Sequence, residues 1–346
     1  MPDPDRFFNF STPGAQEWWY FDAISDDGRD VLVLVWYAAL PFDPDYGVGT
    51  LKHLKNPGRC PAPKALDHCA VGVSWYRDGK TMAYALNGFR APDFAHSAEP
   101  FSVSIAGNRL SRDDDGYELQ IDTPAVDGKR RMVARIRFVP ASGTEPVERD
   151  LGTPDSPHVW ILAAADCRVE GEVTVGGRSL AFRGRGYHDH NAGAEEISVA
   201  IRRWEWGRFH DGPFTRVYYL SEPKSGPAQA LIVVCRDGRP ESVHVPSIID
   251  GLGTTRNVFG VKSSRIRTVG EIEEFWSWMP TRCVDDGPFY RRWLTEGTVV
   301  TTEDSGERDI RGLGELLDTR NLNRPIFNWM IPFRLKRPGS GGKSVS

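Results

Sequence analysis

No run of 18 apolar residues occurs anywhere in the 346 residues, and the longest approach to one, Val31 to Leu40, is too short to cross a bilayer as a helix. The opening Met1-Pro2-Asp3-Pro4-Asp5 lacks the basic start and apolar core of a secretory signal, so a cytoplasmic protein is expected. Cysteine is sparse and odd in number: Cys60, Cys69, Cys167, Cys235 and Cys283 include no CxxC pair, which argues against a disulfide framework and a zinc knuckle alike. There is no excess of one charge either. Acids and bases are interleaved to a net charge of −4, leaving no field to hold nucleic acid or an anionic surface. No GxSxG elbow is present, and Gly184-Arg185-Gly186 is followed by neither a phosphate-loop lysine nor a dinucleotide pattern.

What is abundant is aromatic: 11 Trp, 10 Tyr and 17 Phe, several in pairs such as Trp18-Trp19, Trp204/Trp206 and Trp276/Trp278. Most belong in a core, and the rest suit the lining of an apolar pocket. The partner expected is a small hydrophobic molecule.

Short strand patterns recur along the chain. Trp18 to Asp22 and Val31 to Tyr37 flank Asp27-Gly28, and Cys69 to Arg77 and Lys80 to Phe89 flank Asp78-Gly79, both strong hairpin signals. No stretch before residue 190 shows sustained helical periodicity, and Pro41 to Pro63, with five prolines, reads as an irregular lid or rim loop. Gly143 to Pro157 has the composition of a linker, and Ala194 to Ile201 fits a strand or one or two helical turns. Asp309 to Leu322 reads as a helix. The pattern of aromatic strand, Asp-Gly turn and β-branched strand in Trp19 to Val35 returns at Trp204 to Leu220, a weak internal duplication. The expectation is an all-β chain of two tandem antiparallel barrels, with an N-terminal arm over residues 1–15. The first barrel would span 16–186 and the second 187–337, with a disordered tail at 338–346.

Proton chemistry is concentrated at Gly186-Tyr187-His188-Asp189-His190-Asn191-Ala192-Gly193. On a strand, His188 and His190 face one side while Asp189 and Asn191 face the other. A catalytic zinc takes three protein ligands, and beyond the two histidines the only candidates, His210 and Asp22, are distant in sequence, so no metal is expected. Acid/base work remains: a carboxyl among imidazoles, in aromatic surroundings that raise its pKa. Trp18, Tyr20 and Asp22 alternate onto one face of their strand, and with Trp204 and Trp206 they offer electron-rich surfaces on which a carbocation can rest. Barrel core with a turn-capping aspartate is the competing reading of the same residues.

Taken together, Glu17 to Asp22 with Ser25 to Arg29, Phe42-Asp43-Pro44-Asp45-Tyr46, His68-Cys69-Ala70, Gly186 to Asn191, Trp204-Glu205-Trp206 with Arg208, and Pro332-Phe333-Arg334 resemble the acyclic carotenoid 1,2-hydratase (hydroxyneurosporene synthase) family, over about residues 14 to 337. The resemblance implies two lipocalin-like barrels, no redox cofactor and a cavity for a long isoprenoid. It also implies a hydro-lyase reaction, in which a terminal trisubstituted alkene is protonated and the tertiary cation captured by water. On that basis Asp189 and His190 are expected as the proton-donor system, His188 as its orienting group and Tyr219 as a water-positioning hydroxyl. Trp18, Tyr20, Asp22, Trp204, Trp206 and Asn191 are expected around the substrate. The broader superfamily leaves open a cyclase of the Diels–Alder type or a carrier of lipophilic ligands. Collecting such a substrate implies at most a transient association with a membrane surface.

Overall fold

The computed structural model describes residues 2–153, 155–271, 274–301, 306–328, 330, 331 and 334–338. The first sheet comprises β1 (Gln16–Ser25), β2 (Asp30–Ala39), β3 (Ala70–Arg77), β4 (Lys80–Gly88), β5 (Phe94–Ala98), β6 (Phe101–Ile105), β7 (Asn108–Asp113), β8 (Gly116–Pro124), β9 (Arg131–Pro140), β10 (Val147–Asp150), β11 (His158–Val175) and β12 (Arg178–Gly193). Its order is β4-β3-β2-β1-β12-β11-β9-β8-β7-β6-β5, with β10 beside β11. The second comprises β13 (Ile201–Asp211), β14 (Phe214–Pro223), β15 (Gln229–Arg236), β16 (Arg239–His244), β17 (Ile248–Arg256), β18 (Lys262–Gly270), β19 (Glu274–Asp286), β20 (Tyr290–Thr301) and β21 (Glu307–Asp318), ordered β16-β15-β14-β13-β21-β20-β19-β18-β17. All pairings are antiparallel, and in each sheet the first strand pairs with the last. That pairing curls each meander round on itself, as the lipocalin-like all-β expectation requires.

Asp78 and Gly79 both take positive φ, 51° and 68°, the geometry by which an Asp-Gly pair turns one strand tightly into the next. Most of the buried apolar residues sort into three layers, beside a small separate cluster of Val261, Trp293 and Leu316. Trp19, Phe21, Leu34 and Trp36 lie inside the first sheet, Phe209, Tyr218, Trp276 and Trp278 inside the second. A third cluster, including Trp18, Tyr20, Trp160, Tyr187, Trp204, Trp206 and Tyr219, fills the space where the two sheets face each other.

Several expectations are corrected. The stretch from Pro41 to Pro63 holds a helix, α1 (Pro44–Lys55), capped by the Asp43 carboxylate on the Asp45 N–H at 3.0 Å and started by Pro44. The prolines that suggested a loop are in part the signal for a helix start. Asp309 to Leu322 is not helical through its length. Residues to Asp318 are strand β21, held between β13 and β20, and only a short 3-10 turn follows. Ladder bonds on both edges override a spacing of Ile310, Leu313, Leu316 and Leu317 that suits a helix equally well. The Gly143 to Pro157 stretch contributes β10 to the first sheet, and a single turn, α2 (Ile197–Ala200), links the sheets. The division set at 186/187 falls inside β12, which pairs with β1 and β11 all the way to Gly193. The arm does not simply lie over the fold, because Asp5 is fully buried. Of the expected tail, residues 339–346 lie outside the described residues, as do Pro332 and Phe333.

Candidate functional site

Alternation along β12 gives its two faces different fates. Tyr187, Asp189 and Asn191 project into the layer between the sheets, and all three are buried. Asp189 Oδ2 accepts from Tyr187 Oη at 2.8 Å and from Trp160 Nε1 at 3.1 Å, and Oδ1 accepts from Asn191 Nδ2 at 3.0 Å. Burial pushes the Asp189 carboxyl up to about 7, with the nearby Glu315 and Asp22 adding to the shift and the Trp160 and Tyr187 bonds opposing it. At neutral pH a substantial fraction therefore carries its proton. Of the three donors around it, the Trp160 indole can only donate, whereas the Tyr187 hydroxyl by turning and the Asn191 amide by flipping can accept from the protonated form.

On the neighbouring strand, His158 opposes Gly193. A Cβ at Gly193 would come within 3.1 Å of His158 Nδ1 and 2.8 Å of Gln16 Nε2, so glycine leaves the imidazole its place. His158 Nε2 lies 3.4 Å from Tyr219 Oη, and the Tyr219 ring sits 5.6 Å from that of Trp160. Burial holds His158 down to about 4, so it is neutral, and raises the Tyr219 phenol, so it keeps its proton. His158 and Trp160 escaped the sequence reading, and Tyr187 was named there only as part of the central motif, without a role. The available signal was His158-Val159-Trp160, an i, i+2 pair on a strand that a hairpin turn lays beside Tyr187 and Asp189.

The expected pairing of Asp189 with His190, oriented by His188, is corrected by the same alternation. Both imidazoles enter the interior of the first sheet. His188 stacks on Phe21 with ring centroids 3.8 Å apart; its Nδ1 donates to the Tyr20 carbonyl at 2.9 Å and its Nε2 meets Asp5 Oδ1 at 2.8 Å. His190 stacks on Trp19, donates from Nδ1 to the Pro4 carbonyl at 2.9 Å and meets Glu17 Oε1 at 2.9 Å. Tyr117 and Arg112 also bond Asp5, and the imidazole hydrogen bond and neighbouring cations hold its carboxyl below the usual range against the cost of burial. The two histidines are thus clamps for the N-terminal arm.

Across the interface, β1 and β13 meet rung by rung. Trp18 stacks on Trp204 at 5.8 Å, Tyr20 meets Trp206 edge-on at 5.6 Å, and Asp22 pairs with Arg208, whose Nε lies 2.9 Å from Asp22 Oδ1. Asp22 and Arg208 are both fully buried, and the pair ties the two sheets together. Tyr20 donates to Glu315 at 3.0 Å, which also accepts from Arg292 Nε at 2.7 Å.

Arg292 reaches the wall of the main cavity, about 470 Å³, in the same interfacial layer. Its apolar walls include Val33, Val35, Tyr37 and Leu86 from the first sheet and Phe289 and Tyr290 from the second. Arg334 borders it in an ion pair with Asp285. None of Trp18, Tyr20, Asp22, Trp204, Trp206 and Asn191, the residues expected around the substrate, lines it. The registers relate cavity to acid: Val35 opposes Tyr20, and Tyr20 opposes Asp189. Two strand spacings of about 4.8 Å put the Asp189 backbone roughly 10 Å from the cavity wall. The carboxyl stands at the inner end of the apolar layer, with Tyr20 between. Among the described residues, no group of three or more His, Cys, Asp or Glu side chains is arranged to hold a metal ion, and no helix is long and apolar enough to cross a membrane.

The chain is similar over nearly its whole length to known proteins. It is 28% identical to the hydroxyneurosporene dehydrogenase of Chlorobaculum tepidum, over 94% of this chain and 88% of that one. It is 28% identical to the acyclic carotenoid 1,2-hydratase of Thiocapsa roseopersicina, over 97% of this chain and 77% of that one. Among solved structures, kievitone hydratase from Nectria haematococca shares the fold, with a TM-score of 0.58 at 12% identity over 92% of this chain and 94% of that one. Residues 54–342, most of the chain, match the family described as Carotenoid hydratase CrtC, and to that family the chain belongs.

Proposed function

We propose that the chain is a hydro-lyase that adds water to a terminal trisubstituted alkene of an acyclic carotenoid or similar polyene, with Asp189 as the acid. One observation carries the reading. Asp189 is a buried carboxyl pushed to about 7 and ringed by Trp160, Tyr187 and Tyr219, in the layer that also holds the apolar cavity.

In the first step the Asp189 proton goes to the CH carbon of the terminal double bond, so that the positive charge falls on the carbon bearing two methyl groups. The π electrons form the new C–H bond and leave a tertiary cation on the adjacent carbon. Indole and phenol faces stabilise such a cation when desolvated, by about 2 kcal/mol for each good contact. Water then adds to the cation, and the proton it sheds returns to the Asp189 carboxylate, closing the cycle without oxidant or reductant. In this reading neutral His158 and the Tyr219 hydroxyl hold that water, a role supported by their lying 3.4 Å apart.

The test is expression in a host that makes an acyclic carotenoid, followed by mass spectrometry. A gain of one water per hydrated end, lost with Asp189→Asn, is the expected result. An unchanged mass with a new cyclised isomer, or full alcohol formation by Asp189→Asn, overturns it.

A further inference from the structure

The cavity is too small for the whole of a long polyene. A volume of about 470 Å³ is that of a site for a drug-sized ligand, and conjugation keeps a long polyene extended, so one end of it fits. The remainder of the chain must leave by the mouth, and what surrounds that mouth determines where it goes.

The turn between β17 and β18 and the segment around α3 (Pro325–Asn328) both adjoin the cavity, and its mouth is assigned between them because both carry exposed residues. Phe259 and Met330 line the cavity from these two elements. The elements are tied together: the rings of Phe259 and Phe327 meet edge to face at 6.0 Å, and Asn321 Nδ2 donates to the Phe259 carbonyl at 3.1 Å and to the Pro288 carbonyl at 2.8 Å. Beside these anchors, Val258 is 92% exposed and Ile326 is 67% exposed. Two aliphatic side chains turned outward at one mouth are a poor arrangement for water and a good one for acyl chains.

The charges agree. The carboxylates at the mouth, Asp285 and Asp286, are each paired with an arginine, Arg334 and Arg291 respectively. Arg256 and Arg324, both exposed, stand next to the same turn and the same α3, and Lys262 opposes Arg256 across the β17–β18 ladder. Apolar tips set within a cationic rim fit the headgroup region of an anionic bilayer.

We infer that this rim is a membrane-docking surface, with Val258 and Ile326 entering the headgroup layer and Arg256 and Arg324 meeting anionic lipid, so that a polyene threads one end into the cavity while its remainder stays in the bilayer. The inference rests on the polyene reading of the cavity, and the experiment separates the two. The full chain is sedimented with vesicles of phosphatidylcholine alone and of phosphatidylcholine with phosphatidylglycerol, and turnover is measured on substrate embedded in the vesicles and on substrate dispersed in detergent.

The expected result is binding that requires phosphatidylglycerol. Val258→Asp with Ile326→Asp, and separately Arg256→Glu with Arg324→Glu, should each lower it at least tenfold. Turnover of embedded substrate should fall in step, while turnover of dispersed substrate stays within twofold, which also shows that the variants fold. Absence of wild-type binding, or binding that survives the aspartate pair, overturns the docking surface. Vesicle binding without any alcohol from either substrate would overturn the hydration reading and leave the docking surface standing.

Discussion

Asp189 and His190 are consecutive in the chain, yet their side chains leave β12 on opposite faces, Asp189 toward Trp160 and Tyr187 between the sheets and His190 toward Trp19 and Glu17 inside the first sheet. Neighbours in sequence therefore have separate tasks, and substitutions tell them apart. His190→Gln removes a buried hydrogen bond to Glu17 and the anchor of the arm. It should cost about 1–3 kcal/mol in chemical denaturation and leave the pH profile of turnover unchanged. A shift of that profile would place His190 in the chemistry.

If Asp189 is the acid, as proposed, it acts in its protonated form, and turnover should be full below about pH 6 and fall as pH rises through about 7. The same raised pKa fixes the sign for stability. Protonation is favoured in the folded state, so Asp189 contributes stability fully below the unfolded pKa, about 3.9, and loses that contribution as pH rises to about 7. Asp189→Asn should abolish alcohol formation and yet raise stability at pH 8, by on the order of 2–4 kcal/mol. Denaturation of both proteins at pH 5 and pH 8 checks this, and an equal effect at the two pH values would refute it.

His158, held near 4 by burial, is neutral across pH 5 to 9 and should add no inflection there. If it orients the captured water, His158→Phe should lower kcat by about 10²–10³ while the alkaline limb set by Asp189 keeps its position. Tyr219→Phe should have a smaller effect in the same direction. Pre-steady-state exchange of substrate hydrogen in deuterated buffer reads protonation apart from capture, and it should persist in both variants.

Asp22 and Arg208 tie the sheets with a fully buried ion pair. Asp22→Asn leaves the guanidinium without its counter-charge and should cost about 3–5 kcal/mol. Asp22→Leu combined with Arg208→Met removes both charges and should recover most of that loss, as measured by urea denaturation. Equal losses for the single and double variants would mean that packing of the pair matters more than its charge.

Much of the fold was legible from local pattern. Period-two alternation and the Asp-Gly turns marked β1 to β4, and the echo of Trp19 to Val35 in Trp204 to Leu220 pointed to two similar units whose leading strands, β1 and β13, do face each other. Local pattern failed where another part of the chain cast the deciding vote. Residues of β21 have spacings that suit a helix, and they are a strand because β13 and β20 supply partners on both edges.

For the site, the sequence by itself determined that Asp189 and Asn191 share one face of a strand and His188 and His190 the other, because side-chain direction in a strand follows from backbone geometry alone. It could not say which face would meet the second sheet. That was decided only by tertiary structure: β12 is pinned between β1 and β11, the arm brings Asp5 to His188 from 183 residues away, and β13 lays its tryptophans over β1. Burial between two sheets gives Asp189 its raised pKa, and burial is a property of the packed layers that no stretch of the chain carries alone.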